Sequence, residues 1–281
     1  MRCLLVGLLA LAGCTAPDQR AEETPPDTLR ILAYNIHHGE GMDGVTDLDR
    51  IAALIREVDP DLVALQEVDS VVARTGGVDQ AKVLGELTGL APVFGRFMPY
   101  QGGAYGMALL SALPLAHSAN LRLPDGDEPR TAVSAQVLTP GGRLLRFTGI
   151  HFYRTEEERV AQASRLEELL TADPSAAARA GAGAGAGAGI NGFNPIDPIP
   201  EILAGDFNSE PGGAVMTFLG ERWTVLPKGD DRFTFSSFDP VKEIDFVLIR
   251  PEGAFEVLRH SLLDEPVMSD HRPLVADLVL R

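Results

Sequence analysis

An apolar run that stops abruptly on a polar cluster sets the terms for this chain. Glu201-Ile202-Leu203-Ala204 leads into Gly205-Asp206-Phe207-Asn208, and Ser209-Glu210-Pro211-Gly212 follows. The pattern predicts a buried strand emptying into a loop. Asp206 and Asn208 alternate about Phe207, so in extended backbone both side chains leave on one face. A charged Asp behind a buried strand loses solvation unless something pairs with it. Asp and Asn also open ordinary turns, so the choice between a turn and a site rests on the other runs.

Those runs repeat the pattern. Leu29 to Ile36 reads as the first core strand, ending at His37-His38-Gly39, and Asp61 to Val68 as the second, with Gln66-Glu67 at its outgoing end. Ala91 to Phe97 and Met107 to Ser111 are expected strands, with Gly102-Gly103-Ala104-Tyr105-Gly106 as the turn before the second of them. Arg130 to Leu138 and Arg143 to His151 predict a hairpin around Pro140-Gly141-Gly142. Phe233 to Phe235, Ile244 to Ile249, Phe255 to Leu263 and Pro273 to Leu280 complete the strands. Asp47 is an N-cap for a helix whose apolar positions Leu48, Ile51, Leu54, Ile55 and Val58 keep the helical period until Asp59-Pro60. Further helices are expected from Asp79 to Thr88, from Thr155 to about Leu170 with Glu158 completing a capping box, and from Val215 to Leu219. Strands dominate, and helices do not alternate with them regularly. That argues against a doubly wound parallel sheet and for two packed β-sheets flanked by helices.

The ends and inserts of the chain read differently. Met1-Arg2, an apolar run from Leu4 to Leu11 and Ala12-Gly13-Cys14 form a secretory signal, too short for the ~20 apolar residues that span a bilayer. Leu11-Ala12-Gly13-Cys14 resembles the lipobox of bacterial lipoproteins, in which the cysteine is acylated; an ordinary cleaved signal is the other reading. Residues 1–14 are therefore expected to be a lipoprotein-type signal peptide and 15–28, rich in Pro, Asp and Glu, a solvated tether. Lipidation of Cys14 implies an exported chain anchored to a membrane, periplasmic or at the cell surface. Cys3 and Cys14 are the only cysteines, so the folded part holds no disulfide and no cysteine metal site. Residues 174–200 form a low-complexity Ala/Gly and proline-spaced insertion, read as a surface loop or as a lid over a site mouth. The net charge of -16 repels polyanions at long range and lowers the expectation of nucleic-acid binding.

Functional-looking side chains cluster at the strand ends, except Asp245, which sits inside an apolar run. Asn35 in YNIHHG, Glu67 in LVALQEVD, His151 in GIHF, Asp206 and Asn208 in LAGDFN, Asp245 in IDFVL and Asp270-His271 in SDHRPL follow one another in a set order. Together they resemble the endonuclease/exonuclease/phosphatase superfamily, which includes DNase I, abasic-site endonucleases, inositol-polyphosphate phosphatases and bacterial sphingomyelinases. The resemblance covers about residues 29–281. It implies a four-layered α/β sandwich of two mixed sheets (DNase I-like) and a phosphoester hydrolase dependent on Mg²⁺, with Mn²⁺ as a possible substitute. By it, Glu67 is the main metal ligand, supported by Asn35 and Asp270. Asp206 orients or deprotonates the attacking water, and Asn208 and His151 bind phosphoryl oxygens. His271 donates to the developing charge and is held by Asp245, the logic of any carboxylate–histidine pair.

Some residues fall outside the shared set. His37 and His38 resemble the start of exported bacterial members and suggest either substrate contact or loop packing. Arg130 in EPRTAV is placed to clamp a phosphate. Asp43 and Asp47 would serve a second cation, or simply a loop and an N-cap. Many relatives carry an Asn and an Arg that Gly106 to Ala112 lacks, which bears on substrate contacts. The favoured reading is an exported phosphodiesterase or phosphatase acting, as a monomer, on small or lipid-linked phosphoesters. A nuclease on DNA or RNA, and a catalytically silent binding module on the same fold, are the alternatives.

Overall fold

The computed structural model describes residues 27–172 and 199–281. The signal, Cys14 and all but the last two residues of the expected tether, with residues 174–198 of the insertion, lie outside the described residues. Among the described residues, twelve strands run in chain order as β1 (Asp27–Asn35), β2 (Leu62–Ser70), β3 (Ala91–Tyr100), β4 (Gly103–Ser111), β5 (Leu115–Arg122), β6 (Thr131–Leu138), β7 (Leu144–His151), β8 (Glu201–Asp206), β9 (Thr224–Val225), β10 (Asp245–Arg250), β11 (Phe255–Leu262) and β12 (Leu274–Leu280). They form two six-stranded mixed sheets, ordered β11-β12-β1-β2-β4-β3 and β5-β6-β7-β8-β10-β9. Helices α1 (Leu48–Val58) and α2 (Gln80–Thr88) lie outside the first sheet, and α3 (Glu156–Thr171) and α4 (Ala214–Gly220) outside the second. The four layers match the expected DNase I-like sandwich.

The layers explain why the core strands read as unbroken apolar runs. A strand buried on both faces has no polar side to alternate with. In β1, Leu29, Ile31 and Ala33 face the other sheet, while Leu32 and Tyr34 face α1 and its neighbours. In β8, Ile202 and Ala204 enter the inter-sheet core and Leu203 packs beneath the helices outside. Each large side chain so buried contributes roughly 1.5–3 kcal/mol. Asp47 caps α1 by accepting from Asp49 and Arg50 N–H, and Asp59, left-handed at φ 51°, ends it.

Several local expectations give way. The expected turn at 102–106 shrinks to Gln101-Gly102, and Ala104, Tyr105 and Gly106 belong to β4, paired with Ser70, Asp69 and Val68 of β2. Gly103 and Gly106 serve close packing instead: a Cβ on Gly106 would stand 2.0 Å from the Gly95 carbonyl oxygen. Strand β5 was not anticipated, because this mostly exposed edge carries little apolar pattern. Phe233 to Phe235 forms no strand; Phe235 makes isolated bridges to Lys242 and His271. The Thr155 hydroxyl donates to the Glu158 carboxylate, whose other oxygen accepts from Asp127 N–H, so no reciprocal capping box forms. Asp27 and Thr28 belong to β1 rather than to a tether, and the buried Asp27 carboxylate accepts from the Thr139 hydroxyl and Gly141 N–H, each at 2.6 Å.

Candidate active site

Sheet register assembles the first half of the site. β7 and β8 pair in parallel with His151 opposite Asp206, and β8 and β10 pair antiparallel with Asp206 opposite Asp245. Directly opposed residues place their Cβ atoms about 5 Å apart on one face, so three ionisable side chains stand abreast where the second sheet ends. Gly205 makes this possible. Its φ is 141°, and a Cβ there would stand 2.1 Å from the Ile150 carbonyl oxygen.

The first sheet brings the other half. β1 ends on Asn35, and the segment before β12 carries Asp270 and His271. Glu67 stands inside β2 rather than at its end, where the register with β4 slips between Gln66 and Val68. It is a bulge residue with φ 57°, and a bulge of this kind re-aims a side chain out of the ladder. Ser269 ties the pieces together: its hydroxyl donates to the Asn35 carbonyl at 2.6 Å and accepts from His271 N–H at 3.3 Å.

The two halves meet at Asp206. Its Oδ2 accepts from Asn35 Nδ2 at 3.2 Å and lies 3.4 Å from His151 Nε2 and 3.7 Å from His271 Nε2. Its Oδ1 accepts from Asn208 N–H at 2.8 Å. Burial, then the like charge of Asp245, lifts the Asp206 carboxyl from 3.8 to about 7, against the downward pull of His271. Burial would lower His271, but Asp245, 2.8 Å from Nδ1, and Asp206 together outweigh it and raise the imidazole to about 10. A protonated His271 therefore fills the place of a cation between two carboxylates. Burial, with Arg130 and His271 nearby, holds His151 well below its ordinary range, so that ring is neutral. Asn35 turns its amide nitrogen to Glu67 as well, at 3.2 Å, and its oxygen accepts from His37 N–H. As placed, it is a hydrogen-bond donor to the carboxylates.

A cavity of about 630 Å³ opens over this cluster, and Glu67, His151, Asp206, Asn208, Asp270 and His271 all reach its wall. Glu67 and Asp270 thus share one rim, although they lie at opposite ends of the chain. Arg130 also lines it, stacked 4.9 Å from the Phe97 ring centroid and 5.5 Å from that of Tyr153, and paired with Glu128. His37 and His38 do not line the cavity; they stand on a short 3-10 turn (His37–Gly39) against Glu67. Asp43 pairs with Arg50 at 2.8 Å and Asp47 caps α1, the simpler of the two roles open to each. Sequence reasoning missed Arg154 and Lys242, which add two cations to the wall of a strongly acidic chain. The available signal was position: Arg154 follows the outgoing end of β7 and Lys242 precedes Asp245.

Comparison with known proteins agrees with this geometry. The chain is 25% identical over 274 residues, 92% of its length and 99% of the relative's, to the uncharacterized protein YbhP of Escherichia coli. Among solved structures, an endonuclease/exonuclease/phosphatase from Beutenbergia cavernae superposes with a TM-score of 0.67 at 22% identity, covering 90% of this chain and 72% of that one. The mannosyl-6-phosphatase Bt3783 of Bacteroides thetaiotaomicron superposes with a TM-score of 0.66 at 19% identity, covering 90% of this chain and 100% of that one. At these identities the superpositions bear on the fold. Residues 32–271 match the model of the Endonuclease/Exonuclease/phosphatase family. The strand-end carboxylates, imidazoles and amides described above therefore belong to a member of that family of metal-dependent phosphohydrolases and nucleases.

Proposed function

We propose that the protein is an exported, lipid-anchored hydrolase of small or lipid-linked phosphoesters. One observation carries the reading: Asp206, poised near neutrality between neutral His151 and a protonated His271, faces a cavity whose wall also holds Glu67 and Asp270. Glu67 and Asp270 offer carboxylate oxygens on a common wall, the donor type Mg²⁺ takes one or two at a time, and Asn35 steadies Glu67. Mg²⁺ held there, or Mn²⁺ in its place, supplies positive charge to a phosphoryl group.

The chain's own groups supply the rest. Asp206 receives the proton of the attacking water, a role suited to a carboxyl near 7. His271, oriented by Asp245, gives a hydrogen bond to the phosphoryl oxygens as charge develops, and His151 and Asn208 bind there too. Arg130, Arg154 and Lys242 attract and orient the anionic substrate. A cavity of about 630 Å³ suits a small molecule or a lipid headgroup. The phosphatase name of one structural neighbour supports the same class. The leader ending at Cys14 supports export and anchoring, and the net charge of -16 speaks against polyanions.

The test is a Mg²⁺-dependent panel of activated aryl phosphodiesters, phosphosugars, phospholipids and DNA, with Asp206→Asn as control. Turnover of the small or lipid substrates, abolished by the substitution and by EDTA, is expected. Degradation of DNA with silence on the rest would make the protein a nuclease, and Mg²⁺ binding with no turnover at all would make it a binding module.

A further inference from the structure

We infer that His37, His38 and Glu67 form a second cation position, specific for a first-row transition ion, that shares only Glu67 with the carboxylate set expected for Mg²⁺. One ring nitrogen of each histidine and a carboxylate oxygen of Glu67 lie within 4.8 Å of one another. Ligands about 2.1 Å from a common ion stand at most ~4.2 Å apart, so the set closes on an ion with a small adjustment of these side chains. The rings meet edge to face with centroids 4.5 Å apart.

Glu40 arranges both rings. Its backbone carbonyl lies 3.2 Å from His37 Nδ1, and its carboxylate lies 3.4 Å from His38 Nε2. Each imidazole thus has one nitrogen engaged and the other left as a lone pair, the way ligating histidines are oriented by a partner behind them. His38 is only 8% exposed, and its Nδ1 has no hydrogen-bond partner among the described residues. A buried imidazole nitrogen without a partner is costly in a purely structural role. All three side chains also sit on left-handed backbone, at φ 44°, 47° and 57°. Left-handed backbone is a strained conformation for a residue with a side chain, and this kind of strain gathers at functional sites.

The donor set selects the ion. Two imidazoles and one carboxylate suit Mn²⁺, Fe²⁺, Co²⁺ or Zn²⁺, whereas Mg²⁺ prefers oxygen ligands and its waters. Glu67 is shared with the proposed hydrolytic site, but the histidines do not line that cavity. The inference therefore stands on the cluster and not on the hydrolase reading.

Cobalt is the probe. The full chain, stripped with EDTA, is titrated with Co²⁺ and followed by visible ligand-field absorption and by proton NMR in H₂O. Two paramagnetically shifted imidazole N–H signals at one equivalent are the expected result, retained in excess Mg²⁺. His37→Gln and His38→Gln, checked for folding by circular dichroism, should each weaken Co²⁺ binding by at least about 10-fold. Absence of shifted imidazole signals in the wild type overturns the inference, whether or not the variants fold. So does their persistence in both folded variants. Mg²⁺-dependent hydrolysis without the cobalt signature sinks this site alone; the signature without any hydrolysis supports it and removes only the hydrolase reading.

Discussion

Replacing Asp206 by Asn should make the metal-free protein more stable, and the gain should grow with pH. Asp206 is fully buried, and its carboxyl is raised from 3.8 to about 7. The unfolded chain ionises it near 3.8, while the folded chain holds the proton until about pH 7. Between those values the folded state binds more protons, so stability falls as pH rises. At pH 5 only part of this penalty is present; by pH 8 it is nearly complete. The difference between the two is on the order of 2 kcal/mol, from 1.36 kcal/mol per pKa unit. His271 is raised to about 10 by Asp245 and then by Asp206 itself, so its ring is followed by NMR in both proteins and its share of the pH dependence subtracted. The Asp206→Asn side chain keeps one oxygen to accept from Asn208 N–H and loses the acceptor for the Asn35 amide, which shifts the variant by an amount independent of pH. The assay is urea denaturation in EDTA at pH 5 and pH 8, for wild type and variant. A stability gap equal at the two values, or larger at pH 5, would refute the claim that a strained, buried carboxylate sits at this position. The same substitution should lower turnover by at least ~10²-fold, the usual opposition between a site's stability and its activity.

Other outcomes follow from the same geometry. His271→Ala should lower kcat by at least ~10²-fold. The wild-type ring, measured by NMR without metal, should not titrate between pH 6 and 8.5, since its pKa lies at about 10; in Asp245→Asn the titration should move toward that window. Arg130→Ala should raise KM for an anionic substrate by about 10-fold, with a smaller change in kcat, because the guanidinium lines the cavity while the reacting cluster lies elsewhere on its wall. Gly205→Ala should cost at least about 3 kcal/mol in thermal or urea unfolding, since its Cβ would overlap the Ile150 carbonyl and the positive φ disfavours any side chain.

The sandwich was legible because its strands are buried on both faces, which writes them as apolar runs with sharp ends. Asn35, His151 and Asp206 were legible for the same reason, each ending such a run, and Asp245 because a carboxylate stood inside an apolar run whose strand in fact begins with it. Glu67 was placed at a strand end, whereas it sits in a bulge, because a one-residue slip against β4 leaves no mark in β2 itself. Arg154 and Lys242 were missed since a cation on a loop looks like any solvated surface residue until the fold turns it toward a cavity. The glycines near Tyr105 suggested a turn by composition, and only the approach of Gly106 to Gly95 shows them to be packing devices. His37 and His38, open in the sequence to substrate contact or loop packing, stand on a 3-10 turn against Glu67 and do not line the cavity.

The proposed hydrolytic cluster straddles the seam between two sheets: Asn35, Glu67 and His271 ride on one, His151, Asp206 and Asp245 on the other. A small slide of one sheet over the other would pull Asp206 away from Asn35 and His271 while leaving every strand ladder intact. Catalysis is thus a finer gauge of inter-sheet alignment than any measure of secondary structure. On warming, turnover should fail several degrees before far-ultraviolet ellipticity does, and variants that loosen the apolar seam should widen that gap.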